Sequence, residues 1–83
     1  MNELVKSFID EAKLNRTQIK AMAEKVKAMH ERDGMLMQIA SPEIDTGEMH
    51  ANITLAYRHL EDAAMRLGKA IQAADGGVSI YDK

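Results

Sequence analysis

Apolar residues recur along this chain at helical spacing, and the clearest run lies between Thr46 and Asp75. Ile53, Leu60, Leu67 and Ala74 fall at strict sevens, and Ala56/Tyr57, Ala63/Ala64 and Ala70/Ile71 fill the intervening turns. This is an apolar seam on one long helix. Its polar side carries His50, Arg58, His59, Arg66 and Lys69. Asp45, with Glu48 three residues on, is a capping pattern that opens the helix. Gly76-Gly77 supplies C-cap glycines that close it.

Earlier in the chain the same spacing predicts two more helices. Asn2 can cap the first, over residues 1–14, with Glu3 in the turn where a negative charge suits the helix dipole. Leu4, Val5, Phe8, Ile9 and Ala12 form its apolar face, with Phe8 as the expected anchor. Asn15 to Gln18 reads as a variant capping box, which places a break near Leu14–Asn15; continuous helix is the alternative. The second helix spans 16–40, with Ile19, Met22, Val26 and Met29 alternating by three and four. Asp33-Gly34 interrupts that seam, as a local kink or as room for a neighbouring helix. Met35, Leu36, Met37 and Ile39 are apolar on more than one side, which predicts burial on two faces.

Ser41-Pro42 stops the second helix, because proline lacks a donor and clashes with a continuing turn. A connection of about six residues then implies antiparallel neighbours. The expected fold is all-α in a single domain: a short N-terminal helix, then a long antiparallel helical hairpin made by 16–40 and 46–75. The tail 76–83 alternates apolar and polar residues and is expected to pack along a neighbouring subunit, with disorder as the alternative.

Composition turns this fold toward assembly. A chain of 83 residues sits near the size limit for a self-sufficient core. It has no cysteine, so disulfides and thiolate metal sites are excluded. His30, His50 and His59 show no metal-binding spacing. Oligomerisation is the remaining remedy, and a homo-oligomer is expected. The net charge of -2 provides no global basic field for long nucleic acid. No run of apolar residues is long enough for a membrane span. The opening residues lack the order of a signal peptide, so a soluble protein inside a cell is the expectation.

Candidate chemistry is sparse. The serines and threonines lie in no nucleophile motif, and no nucleophile–base–orienter set can be built, so no enzyme is expected. Asp62 is placed to pair with Arg58 and Arg66 at helical spacing. Ala64-x-x-x-Gly68 puts small residues four apart, with Met65 beside them, which suggests a second contact face as well as ordinary packing. Arg66 and Lys69 share a face, with Arg58 and Tyr57 about two turns earlier. Such a set can hold phosphate oxygens and stack a base. A solvated polar face laced with helix ion pairs is the alternative. The same choice applies to Lys20, Lys25 and Lys27 on the second helix.

One segment carries a resemblance. His59-Leu60-Glu61-Asp62-Ala63-Ala64-Met65-Arg66-Leu67-Gly68-Lys69-Ala70-Ile71-Gln72 is similar to the C-terminal helix of the tailed-phage anti-CBASS sponge proteins. The shared pattern is Leu60, Met65, Leu67, a basic residue at Lys69, then Ala70-Ile71. Leu14 to Lys27 is similar to their earlier helix, ending in the hydrophobic–lysine pair Val26-Lys27. The ending Gly76 to Lys83 resembles one branch of that family.

The resemblance implies a small all-helical homohexamer in the cytoplasm of an infected bacterial host. It implies binding and sequestration, without cleavage, of cyclic di- and trinucleotide immune signals such as cyclic GMP–AMP and cyclic tri-adenylate. That would block CBASS defence, with pockets built at subunit interfaces and no cofactor. The family's pocket lysine falls on Lys27, although a gapless alignment lands on Val26. The family's aromatic near the start of the chain has no match here, so Tyr57 or Tyr81 would take the stacking role. The expected ligand-binding residues are Lys27, Tyr57, Arg58, Arg66, Lys69 and Tyr81. The competing expectation is a protein-interaction module that docks its apolar face, rich in methionine, on a partner protein.

Overall fold

The computed structural model describes residues 2–37 and 43–76, and the described residues form two helices and no strand. Helix α1 spans Glu3–Met37 and helix α2 spans Thr46–Ala74. At about 1.5 Å per residue, α1 is about 52 Å long, close to the 58 Å long axis of the molecule.

The break expected at Leu14–Asn15 is absent: α1 runs through it, and the separate N-terminal helix is part of α1. The physical reason is local and tertiary together. No proline or glycine stands between Glu3 and Asp33. The Thr17 hydroxyl donates to the Lys13 carbonyl at 3.0 Å and so stays within the helix. The inward residues Val5, Ile9, Ala12, Arg16, Ile19, Ala23 and Val26 also continue without a step in spacing. Packing along that row outweighs the weak local preference of one asparagine. Gly34 lies inside α1, which continues to Met37.

The starts of α1 and α2 are both capped as expected, by Asn2 and Asp45. Asn2 Oδ1 accepts the Leu4 amide at 2.7 Å. Asp45 Oδ1 accepts the Glu48 amide at 3.0 Å. These carboxamide and carboxylate oxygens satisfy amides that the helix itself leaves unpaired. At the other end of α2, Gly76 has φ of 74°, a left-handed conformation that side-chain-bearing residues avoid. The Ser41-Pro42 turn, the side chains of Met35 to Met37, Ile39, Gly77 and the tail with Tyr81 lie outside the described residues and side chains.

The two helices contact each other in reverse order. Ile9 and Ala12 of α1 pack on Ile71 of α2, flanked by Val5 and Ala74. Further along, Arg16 Nε donates to the Ala64 carbonyl at 3.2 Å. Toward the connection, the rings of His30 and His50 lie 4.4 Å apart. This register selects one residue of each neighbouring pair on α2. Tyr57, Ala64 and Ile71 turn toward α1, while Ala56, Ala63 and Ala70 are left on the flank.

The core is thin. Among the described residues the buried apolar side chains are Ile9, Ala12, Ala23, Ala64 and Ile71, and Ile71 is the most deeply buried of them, at 1% exposure. Phe8 is not the anchor; it is 52% exposed, because Ile9 and Ala12 occupy the inward positions of that turn. Met22 and Met29 are likewise about half exposed, and Ala23 takes the inward place between Ile19 and Val26.

Candidate functional site

Small residues at the seam open a cleft between the helices. Ala23 on α1 and Ala64 and Gly68 on α2 bring no bulk where a leucine would fill the gap. The resulting cavity holds about 400 Å³, within the usual range for a small-molecule site. It is open along one side of the helix pair.

Its polar groups come from both helices. Arg16 and Lys20 enter from α1, one turn apart, and Lys69 and Gln72 enter from α2. Glu24 and Glu61 face them. Three cations against two carboxylates leave the lining weakly positive, while the chain as a whole is acidic. Arg16 is held in place by its bond to the Ala64 carbonyl. Lys20 and Lys69 form no ion pair among the described residues, so their charges are available to an incoming anion.

Tyr57 and Met65 supply the broad apolar surfaces. The Tyr57 hydroxyl donates to Glu61 Oε2 at 3.1 Å. That hydrogen bond is the main reason the phenol titrates above its ordinary value, with desolvation and the charges of Glu61 and Glu24 adding to it. The same bond tethers the phenol beside the cleft, whose lining includes this aromatic side chain, and an aromatic ring is a group on which a flat ligand can stack.

Of the six residues expected to bind ligand, Tyr57 and Lys69 line this cleft. Lys27 lies seven residues beyond Lys20, on the same side of α1 but past the lining. Arg58 is exposed and outside the lining. Arg66 is also outside it, and its Nε bonds Asp62 Oδ2 at 2.9 Å. This is half of the expected pairing of Asp62 with two arginines. Tyr81 lies outside the described residues. Ala64 is buried between the helices, and it borders the cleft together with Met65, which is half exposed, and Gly68.

The pattern along the chain does not mark Arg16, and it shows Lys20 only as one of a basic run. Either becomes visible once the helices are aligned so that positions on α1 and α2 add to about 80, as they do in the pairs 9 with 71, 16 with 64 and 30 with 50. Among the described residues no cluster of histidine and carboxylate side chains could hold a metal ion, and no helix is long and apolar enough to cross a membrane. No family model, curated protein or solved structure matches the chain.

Proposed function

We propose that the chain is an antiparallel helical hairpin that assembles with copies of itself and sequesters cyclic di- and trinucleotides without cleaving them. What supports this reading is the cleft: three cationic side chains, a fixed aromatic ring and apolar walls around a space of ligand size. A cyclic dinucleotide carries two phosphates and two flat bases. Arg16, Lys20 and Lys69 suit the phosphate oxygens, and Tyr57 and Met65 suit the bases. A symmetric assembly offers two copies of each residue to a pseudo-symmetric ligand. The similarity of the His59–Gln72 segment to the phage anti-CBASS sponges gives this chemistry its biological setting, which is removal of the signal before it reaches an effector in the infected host.

Sequestration asks only for affinity, so the ligand must return intact. Protein incubated with 3′,3′-cyclic GMP–AMP or cyclic tri-adenylate, separated and then denatured, should release the unaltered cyclic compound. Release of linear nucleotide would make the protein a phosphodiesterase, and recovery of no bound nucleotide would contradict the reading.

A second reading is a protein-interaction module, supported by the exposed Met22, Met29 and Met65. Methionine surfaces adapt to varied partners. It predicts a stable complex with another protein and no heat with any cyclic nucleotide.

A further inference from the structure

The helix pair has two broad sides, and the cleft occupies one. The other side carries a row of bulky apolar side chains on α1. Phe8, Met22 and Met29 stand at intervals of seven and its multiple, and each is about half exposed. On α2 the same side carries Ala56, Ala63 and Ala70, also at sevens. Helix geometry places both rows about 80° from the shared seam and turned away from the cleft. One row is a ridge and the other a shallow groove of equal period.

We infer that this face is the site where a second copy of the chain docks, each copy laying its α1 ridge along the α2 groove of the other. The inference rests on the proposal that copies assemble, and adds the face and the register. A two-fold axis lying in the face and parallel to the helices sets α1 of one copy beside α2 of its partner, running in the opposite direction. Because both rows repeat every seven residues, one register then matches them throughout. Met22 meets the partner's Ala56, Asn15 meets the partner's Ala63 and Phe8 meets the partner's Ala70. Met29 meets the partner's Met49, which is half-buried in a single copy.

The area is sufficient. From Phe8 to Met29 the ridge runs about 32 Å. Across the 19 Å breadth of the molecule this gives about 600 Å² per copy and about 1,200 Å² for the pair, the lower edge of stable interfaces. A core whose large buried side chains, among the described residues, are Ile9 and Ile71 gives a physical reason for such docking. The pairing leaves both clefts on the outer sides, open to ligand or to further copies.

The absence of native cysteine makes the test direct. The native chain should show a mass by light scattering of at least twice its 9.2 kDa. Met22→Glu with Met29→Glu should reduce it at least twofold while helicity is retained, and Met65→Glu, on the cleft side, should not. Met22→Cys with Ala56→Cys should give a covalent dimer on a denaturing gel after mild oxidation. A native chain that is monomeric overturns both this face and the proposed assembly. An assembly that survives the Met22/Met29 change, or a cysteine pair that gives no covalent dimer, overturns the face and register alone. Ligand recovery from the cleft is a separate readout, and its failure would leave this inference standing.

Discussion

Ile71→Ala tests whether the contact between Ile71 and the Ile9–Ala12 stretch holds the two helices together. The substitution deletes Cγ1, Cγ2 and Cδ1, which at about 0.8 kcal/mol for each buried carbon removes about 2.4 kcal/mol. A residual cavity adds to this, since Ile71 is 1% exposed and is ringed by Val5, Ile9, Ala12 and Ala74. The total expected is about 3 kcal/mol, inside the range seen for such truncations. A chain of 83 residues commonly has about 4–12 kcal/mol in all. The melting temperature should therefore fall by at least about 12 °C. Thermal and urea unfolding followed by circular dichroism, at two protein concentrations to separate assembly from folding, would read it. Leu55→Ala is the control: Leu55 is 49% exposed, and its loss should cost no more than about 0.5 kcal/mol. A cost below about 1 kcal/mol at Ile71, or a larger one at Leu55, would refute the packing described.

Other expectations follow from single contacts. Asp45→Ala removes the acceptor for the Glu48 amide and should cost about 1 kcal/mol, read by urea unfolding, whereas Asp45→Ser should cost less. Tyr57 should ionise at higher pH than an ordinary phenol in a spectrophotometric titration of a Tyr81→Phe background, and Glu61→Gln should bring it back down. The folded pKa lies above the unfolded one, so the stabilisation linked to Tyr57 is complete below about pH 10 and is lost as pH rises through the higher folded value. Lys20→Glu and Lys69→Glu should each weaken cyclic-dinucleotide binding at least about tenfold, as loss of a charge-assisted bond implies. Arg66→Glu, at a residue outside the cleft, should change it by much less, and equal losses at all three positions would count against the cleft.

The helix from Thr46, its Asp45 cap and the left-handed Gly76 were legible from local chemistry, because each depends on residues within one turn. The continuity of α1 through Asn15 was not. An exposed asparagine costs a helix little, and the decision is made by Ile9, Ala12, Arg16 and Ile19 packing on another element. The seam on α2 was legible only as adjacent pairs. Alanine beside alanine at 63 and 64 gives no hint which faces inward until the register with α1 is known. The cleft suffers most from this, since Tyr57 and Lys69 belong to one helix while Arg16 and Lys20 belong to the other. Charged residues on one helix look alike along the chain. It is the small Ala23, Ala64 and Gly68 across the seam that mark which of them border a cavity.

Calorimetric titration of the 83-residue chain with 3′,3′-cyclic GMP–AMP and cyclic tri-adenylate, alongside the Lys20→Glu/Lys69→Glu variant, tests the central proposal most directly. Tight saturable heat with at least one ligand, lost in a variant that remains helical and keeps its native mass, is the predicted result. Absence of heat with both ligands and with the other cyclic dinucleotides, or binding unchanged by the double charge reversal, would contradict it.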